Sequence, residues 1–174
     1  TASSFRKYAI EHLLKEVKVD ILKGNLGEIK FILGYDTKNK GIDSFEDENG
    51  AEKYCIELAE KLGAVVVMTG KTDIITDGKR MAKVSNGDAK LKKICGAGSS
   101  VAAIMATYSG LTEDYFLSAT VGCAVMGVAS EMAEERMKER EGIRTFKTYV
   151  HDAVSMMETK ELMNRLNLVE VELD

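Results

Sequence analysis

Residues 64–68 read Ala-Val-Val-Val-Met, five apolar side chains in direct succession. Side chains along a β-strand point alternately to opposite faces, so an apolar run without alternation predicts a strand that is buried on both faces. Strands of this kind occur in parallel sheets whose two faces are covered by helices. The run therefore constrains the chain to a layered α/β fold more than any other segment does.

Helical and apolar segments alternate along the chain before this strand. The sequence predicts a helix over residues 5–17 that Ser3 or Ser4 could cap, and then a strand over 19–22 that Gly24-Asn25 breaks. A second helix over 26–33 ends at Gly34. A polar acidic loop over 36–50 precedes a third helix over 51–62, which ends at Gly63. The apolar positions of the first helix keep helical spacing: Ala9, Ile10, Leu13, Leu14 and Val17. The β-α-β-α order predicts a mostly parallel sheet flanked by helices.

The pattern changes after residue 70. We predict a β-hairpin of residues 73–76 and 80–84 around the turn Asp77-Gly78, a second turn at Asn86-Gly87, helical sequence from Gly98 to about Glu158, and an alternating edge strand over 168–173. The longest helix, over 115–140, carries a core stripe of Ala119, Cys123, Met126 and Ala133. Residues 1–174 together suit a single domain.

Composition excludes several classes of function. The net charge is −4 and the basic residues are scattered, which gives no reason to expect a nucleic acid partner. We find no apolar run long enough to span a bilayer and no signal peptide, so we expect a cytoplasmic protein without membrane contact. Three cysteines and two histidines show no metal-ligand spacing, and the odd cysteine count argues against a disulfide framework. Because the chain begins at Thr1 and not at methionine, we expect a processed or truncated polypeptide.

The segment Gly96-Ala97-Gly98 gives the strongest indication of function. It joins a polar stretch to a helix of small residues, and glycines let the backbone take conformations closed to other residues. A helix N-terminus presents unpaired N–H groups and the positive end of the helix dipole, which together bind anions. The sequence predicts a phosphate site here, with Ser99 beside it. The alternatives are a plain helix boundary and, for Ser99, an N-cap.

Polar residues also follow both early strands, at the edge where α/β proteins bind ligands. Asn25 and Glu28 have the spacing of a capping box, and the same carboxylate could help to hold Mg²⁺ near phosphates, directly or through water. Lys23 could reach a phosphate, although a solvated lysine is the more common case. Thr69-Gly70 ends the second strand with a hydroxyl, or forms only a turn.

These motifs also occur together in a recognisable order. Along the chain they are Lys23-Gly-Asn25-x-x-Glu28, Thr69-Gly70, Thr72-Asp73-Ile74-Ile75-Thr76-Asp77-Gly78, Asn86-Gly87 and Gly96-Ala97-Gly98, with Thr1-x-x-x-Phe5-Arg6 and Gly41-Ile42-Asp43-Ser44 in addition. In this order and spacing the chain resembles the hydroxyethylthiazole kinase family of the ribokinase-like superfamily. The resemblance covers nearly the whole chain and is loose after about residue 140.

The resemblance implies a kinase of thiamin salvage that phosphorylates the hydroxyl of 4-methyl-5-(2-hydroxyethyl)thiazole with ATP and Mg²⁺. It assigns ATP contacts to Lys23 and Thr69, and it assigns Mg²⁺ and phosphate to Asn25 and Glu28. Lys23 stands where the family has an arginine, so the planar guanidinium group that can bond two phosphate oxygens at once is lost. The family is a trimer with its substrate site between subunits, so we expect a homotrimer.

The resemblance gives the remaining roles to the Gly96 loop. Gly96 would line the substrate site, and the amides of residues 96–99, which include Ala97 and Gly98, would surround the transferred phosphoryl group. Ser99 takes the catalytic position, where the family has a cysteine and the wider superfamily an aspartate that accepts the substrate proton. A serine hydroxyl is the poorest base of the three, and a general base is worth about 10²–10⁴-fold. We therefore expect reduced activity.

The family chain is also longer on its N-terminal side. By resemblance, the additional part supplies central strands, an acidic residue near Mg²⁺ and much of the thiazole pocket. We therefore expect a further N-terminal segment or a separate chain as a partner. Two alternative functions stay open: a kinase of another small hydroxylated heterocycle, and a weakly active nucleotide-binding or assembly subunit.

Overall fold

The computed structural model describes residues 4–35 and 50–173. Four sequence predictions rest wholly or partly on residues outside this part of the chain: the cap from Ser3 or from the side chain of Ser4, Thr1 of the motif Thr1-x-x-x-Phe5-Arg6, all of the loop over 36–50 except Gly50, and the motif Gly41-Ile42-Asp43-Ser44.

Within those ranges the elements follow the expected order. The helices are α1 (Ser4–Glu16), α2 (Leu26–Leu33), α3 (Glu52–Leu62), α4 (Ala97–Ser109), α5 (Tyr115–Arg136), α6 (Ile143–Ser155) and α7 (Thr159–Arg165), with a short 3₁₀ helix over Ala89–Lys93. The strands are β1 (Ile21–Gly24), β2 (Val65–Met68), β3 (Asp73–Thr76), β4 (Arg80–Val84) and β5 (Leu168–Glu172). The helix ends predicted at Gly34 and Gly63 are confirmed, because both glycines adopt the left-handed conformation there.

The strands form one sheet in the order β1-β2-β3-β4-β5. β1 pairs with β2 in parallel, and every residue of β2 is buried, as the apolar run predicts. β2 pairs with β3 in the antiparallel sense, because the link between them is too short for the crossover that a parallel pair requires. The predicted α/β fold is confirmed, and its sheet is mixed.

The bounds of β1 and the burial of α1 differ from the prediction. β1 begins at Ile21 and extends through Gly24, two residues later than predicted, because pairing with β2 sets its ends and the apolar composition does not. The apolar face of α1 is only partly covered. Ile10 and Leu14 are half-buried, whereas Phe5 is 74% exposed, Leu13 54% and Val17 49%.

The described residues divide into two compact units. The first holds those up to Gly70 together with Ile74–Met81 and the end of the chain from Glu172. In its core, α3 packs against β2 while α2 packs against α3 and β1, and the largest fully buried side chains there are Ile29, Leu58 and Met68. Apolar burial of this extent stabilises the parallel pair of β1 and β2, and the predicted site residues lie at the ends of these two strands.

The second unit, residues 71–73 and 82–171, is organised around α5. Both α4 and α6 pack against α5, and its predicted stripe is buried. The helix ends at Arg136, before the predicted residue 140, because Met137 is extended. By length and composition alone α5 could cross a membrane, with a mean hydropathy of 1.5, which corrects the expectation that no run was long enough. However, 78% of that window is buried inside the structure, as in the core helix of a folded domain.

Candidate functional site

In the first unit, the predicted site residues lie at the ends of the parallel strands. Lys23 is half-buried in β1 opposite Val67 of β2. The backbone N–H of Thr69 donates to the carbonyl of Gly24 at 2.9 Å, and the Thr69 hydroxyl reaches the same oxygen at 3.5 Å, the outer limit of a hydrogen bond. The structure thus brings Thr69 beside the turn that leads to Asn25.

The Asn25/Glu28 pair forms the predicted capping box. The Asn25 side-chain oxygen accepts from the Glu28 backbone N–H at 2.9 Å, and a Glu28 carboxylate oxygen, Oε2, accepts from the Asn25 backbone N–H at 2.8 Å. Two N–H groups that the first turn of α2 would leave unpaired are thereby satisfied. The structural interpretation of the motif is confirmed.

The capping box limits how Glu28 could bind a metal ion. The carboxylate is exposed and its second oxygen accepts no hydrogen bond from the described residues, so one oxygen is left for a metal ligand or a bound water. The described part of the chain holds no group of three or more His, Cys, Asp or Glu side chains that could bind a metal ion by themselves. Mg²⁺ commonly binds through one or two carboxylates together with phosphate oxygens and waters. Glu28 fits a supporting role of this kind beside a nucleotide.

We expect Glu28→Gln and Glu28→Ala to distinguish the role of Glu28 as a helix cap from the role of its negative charge in Mg²⁺ binding. Glutamine can keep the capping box, so Glu28→Gln should leave the melting temperature nearly unchanged and weaken the Mg²⁺ dependence of nucleotide binding about tenfold. Glu28→Ala should show the same loss together with about 1 kcal/mol lower stability. Thermal unfolding and Mg²⁺ titration check both, and an unaltered Mg²⁺ requirement in both variants would leave Glu28 as a helix cap only.

In the second unit, the loop predicted to bind an anion leads into the N-terminus of α4. Gly96 is the N-cap residue with φ 91° and ψ 0°, a left-handed conformation that favours glycine. Gly98 lies within the first helical turn, so the left-handed backbone expected of the loop is required at Gly96 and not at Gly98. Among the described residues no side chain caps this end of α4, so its N–H groups are paired only where the backbone supplies an acceptor.

The backbone amides of the loop divide into engaged and open groups. Ala97 donates to the carbonyl of Ile94 at 3.3 Å, and Ser100 donates to that of Gly96 at 2.9 Å. The N–H groups of Gly98 and Ser99 donate to no acceptor in the described part of the chain. Of the amides predicted to surround a phosphoryl group, those of Gly98 and Ser99 remain able to donate to a ligand, because the amide of Ala97 already has an acceptor.

Ser99 is the third helical residue, so its alternative interpretation as an N-cap is wrong: Gly96 already occupies that position. The Ser99 hydroxyl is exposed and forms no hydrogen bond with the described residues. Cys95 does not replace it, because Cys95 precedes the turn and its carbonyl accepts from the Lys147 ammonium group at 3.3 Å.

The sequence predicts a turn at Asn86-Gly87 and indicates no further role for the Asn86 side chain. In the structure the Asn86 side chain contacts Glu131 of α5, 45 residues further along the chain. Its backbone also passes very close to α5, where a Cβ atom at Gly127 would lie 2.7 Å from the Asn86 carbonyl oxygen. No local sequence pattern reveals such a contact.

Comparison with known proteins supports the resemblance seen in the sequence. The model of the hydroxyethylthiazole kinase family matches residues 1–160. The hydroxyethylthiazole kinase of Alkaliphilus oremlandii (strain OhILAs) is 39% identical over 98% of this chain and 63% of its own length. That of Clostridium botulinum (strain Eklund 17B / Type B) is 42% identical over 89% and 57%.

A solved structure agrees with these relatives. The hydroxyethylthiazole kinase protein of Pyrococcus horikoshii OT3 superimposes with a TM-score of 0.82 at 29% identity, over 98% of this chain and 62% of that one. The chain thus spans between 57% and 63% of the length of the proteins it matches here. On the family model, the relatives and the shared fold together, the chain belongs to the hydroxyethylthiazole kinase family.

Proposed function

We propose that this protein takes part in ATP-dependent phosphorylation of the hydroxyl group of 4-methyl-5-(2-hydroxyethyl)thiazole, the reaction for which its relatives are named. The observation that carries the proposal is the start of α4. There a left-handed Gly96 precedes two N–H groups without an internal acceptor, at the positive end of a 13-residue helix. In a chain of this family, such a site favours the transferred phosphoryl group as the ligand.

The chemistry required of the protein is mainly positioning and charge stabilisation. Phosphoryl transfer usually passes through a loose transition state with charge on the equatorial oxygens. The amides of Gly98 and Ser99 would donate to those oxygens without reorganising, because the helix already fixes them. ATP would supply the phosphoryl group, and Mg²⁺, when bound, would offset its charge. Lys23 and Thr69 would contact the nucleotide.

Ser99 would face the attacking hydroxyl as the catalytic residue. A serine hydroxyl needs an acceptor of its own to take up a proton, and the described residues provide none. We therefore expect slow turnover, below the range of about 1–100 s⁻¹ that is typical of kinases. The same observation favours a second function, a nucleotide-binding or assembly subunit with little catalysis.

The proposal includes further chains in the working assembly. The exposed apolar side chains of α1, led by Phe5 and Leu13, lack a packing partner in the described structure. β1 also lies at an edge of the sheet, where its outer backbone groups are open to another strand. Both features favour a homo-oligomer, which we propose is a homotrimer, or docking of the part of the family fold that this chain does not span. A single folding domain and a cytoplasmic location stay predictions.

Nucleotide binding and turnover test the proposal directly. We expect calorimetry to show Mg²⁺-dependent ATP binding, and a coupled assay to show phosphorylation of hydroxyethylthiazole ahead of pyrimidine and pyridoxal-type alcohols. Binding without turnover on any alcohol would support the assembly-subunit function, and preference for another alcohol would change the substrate. Absence of heat and of a thermal shift at about 1 mM ATP would contradict nucleotide binding.

A further inference from the structure

The segment that leads into the Gly96 turn is attached to α5 by hydrogen bonds. A carboxylate oxygen of Glu131, Oε1, accepts from the Gly87 backbone N–H at 2.7 Å, and both Glu131 oxygens lie 3.2 Å from the Asn86 side-chain nitrogen. One residue on, the Asp88 backbone N–H donates to the Ser130 hydroxyl at 2.9 Å. Two adjacent residues of α5 therefore hold three successive residues of this segment.

Asn86 also connects the segment to the end of α7. Its side-chain nitrogen donates to the carbonyl of Arg165 at 2.8 Å, and its side-chain oxygen accepts from the Asn167 backbone N–H at 2.7 Å. A carbonyl can only accept and an N–H can only donate, so these bonds fix the orientation of the carboxamide. Its nitrogen must then face the Glu131 carboxylate.

The attachment continues up to α4. The Asp88 carboxylate caps the 3₁₀ helix by accepting from the Lys90 backbone N–H at 2.8 Å. Ile94 donates to Leu91 at 3.1 Å, and Ala97 donates to Ile94 at 3.3 Å. A chain of short-range bonds therefore runs from the Glu131 contact to the first residue of α4.

Beyond the turn, α4 packs on the same helix. A Cβ atom at Gly122 of α5 would lie 3.1 Å from the Met105 backbone, so the two helices are in close contact. Met105 is also fully buried. Both sides of the Gly96 turn are thus fixed to α5, the first by polar bonds from Glu131 and Asn86 and the second by apolar packing.

We propose that Glu131 and Asn86 are positioning residues that set where the open amides of Gly98 and Ser99 lie. This inference rests on the proposed function, because it assigns those amides to a phosphoryl group. Neither side chain needs to touch a ligand: the Glu131 carboxylate fixes the entry segment, and the capped 3₁₀ helix passes that constraint to Gly96. Hydrogen bonds to charged groups are among the stronger ones, so their loss should loosen the segment measurably.

The test compares hydrogen exchange in three variants with that of the unaltered protein. Glu131→Ala removes both acceptors, and we expect exchange of the hydrogen-bonded amides within residues 87–98 to rise about tenfold or more. Glu131→Gln keeps one acceptor oxygen for Gly87 but turns a donor nitrogen toward the Asn86 side-chain nitrogen, so its exchange should lie between that of the unaltered protein and that of Glu131→Ala. Glu139→Ala is the control, since Glu139 is exposed and forms no hydrogen bond with the described residues. It should leave residues 87–98 unchanged.

A purely structural role gives a different result. If Glu131 only stabilised the fold, Glu131→Ala would raise exchange in α6 by the same factor as in residues 87–98, and that outcome would overturn the proposal. A change of less than about twofold in residues 87–98 would overturn it as well. Hydrogen exchange is measured without substrate, so it tests the role of Glu131 independently of activity. If the unaltered protein neither binds ATP nor phosphorylates an alcohol, the proposed function is rejected while the exchange result still decides the role of Glu131. Where turnover is measurable, we expect Glu131→Ala to lower kcat about tenfold, and an unchanged kcat would contradict positioning.

Discussion

Gly127→Val will lower the melting temperature by about 6–12 °C, the largest stability loss that we expect from one substitution in this protein. Gly127 is buried in the middle of α5, where a Cβ atom would lie 2.7–2.9 Å from the carbonyl group and side chain of Asn86. Those neighbours include backbone atoms that cannot rotate away. Overpacking of a core typically costs about 1–3 kcal/mol, and valine adds two further methyl groups. The gain in helix propensity over glycine is only a few tenths of a kcal/mol.

Thermal unfolding followed by circular dichroism measures this effect. Ala106→Val on the exposed side of α4 is the control, since it makes a β-branched residue in a helix without overpacking and should cost only about 0.5 kcal/mol. Equal losses in the two variants would mean that α5 and the Asn86 segment can separate at little cost.

Ser99→Asp will raise kcat about tenfold or more if the protein phosphorylates an alcohol as proposed. Ser99 lies in the first turn of α4, and its hydroxyl has no acceptor among the described residues. Aspartate would supply a proton acceptor beside the attacking group. Its negative charge opposes the incoming phosphate, but the helix N-terminus partly offsets that charge. We expect little change in ATP affinity.

Steady-state kinetics on hydroxyethylthiazole, with Ser99→Asn as the isosteric control, distinguish the base from a change of shape. Asparagine has nearly the same volume as aspartate but cannot accept the proton as a base. If the two variants have the same kcat, then Ser99 does not occupy the base position or proton removal does not limit the rate.

Local sequence patterns identified those parts of the fold that depend on neighbouring residues. The Asn25/Glu28 capping box and the left-handed helix end at Gly34 involve residues a few positions apart, so spacing and residue type were sufficient. The buried strand β2 was predicted for a similar reason, because burial on both faces removes the alternation of polar side chains.

Features that depend on distant partners were missed or misplaced. The ends of β1 follow its pairing with Val65 and Met68, so the apolar residues of the segment placed the strand two residues too early. Asn86 was assigned to a turn although its side chain bonds Glu131, because a contact between residues 45 positions apart leaves no periodic signal. The exposed side of α1 shows the same limit: helical spacing identifies an apolar face but not what covers it.

The nearly complete burial of α5 also has a consequence during synthesis. The ribosome releases this apolar 22-residue segment after α4 but before α6, the helix that covers another of its sides. Until then its apolar surface is open to other chains, and partly folded species of this kind aggregate. The hydroxyls of Thr120 and Ser118 already bond to carbonyls of the preceding turn, so the part of the helix before Glu131 presents few polar groups to water. The nascent protein should therefore depend on chaperones most strongly while residues 115–136 have emerged and residues 143–155 have not.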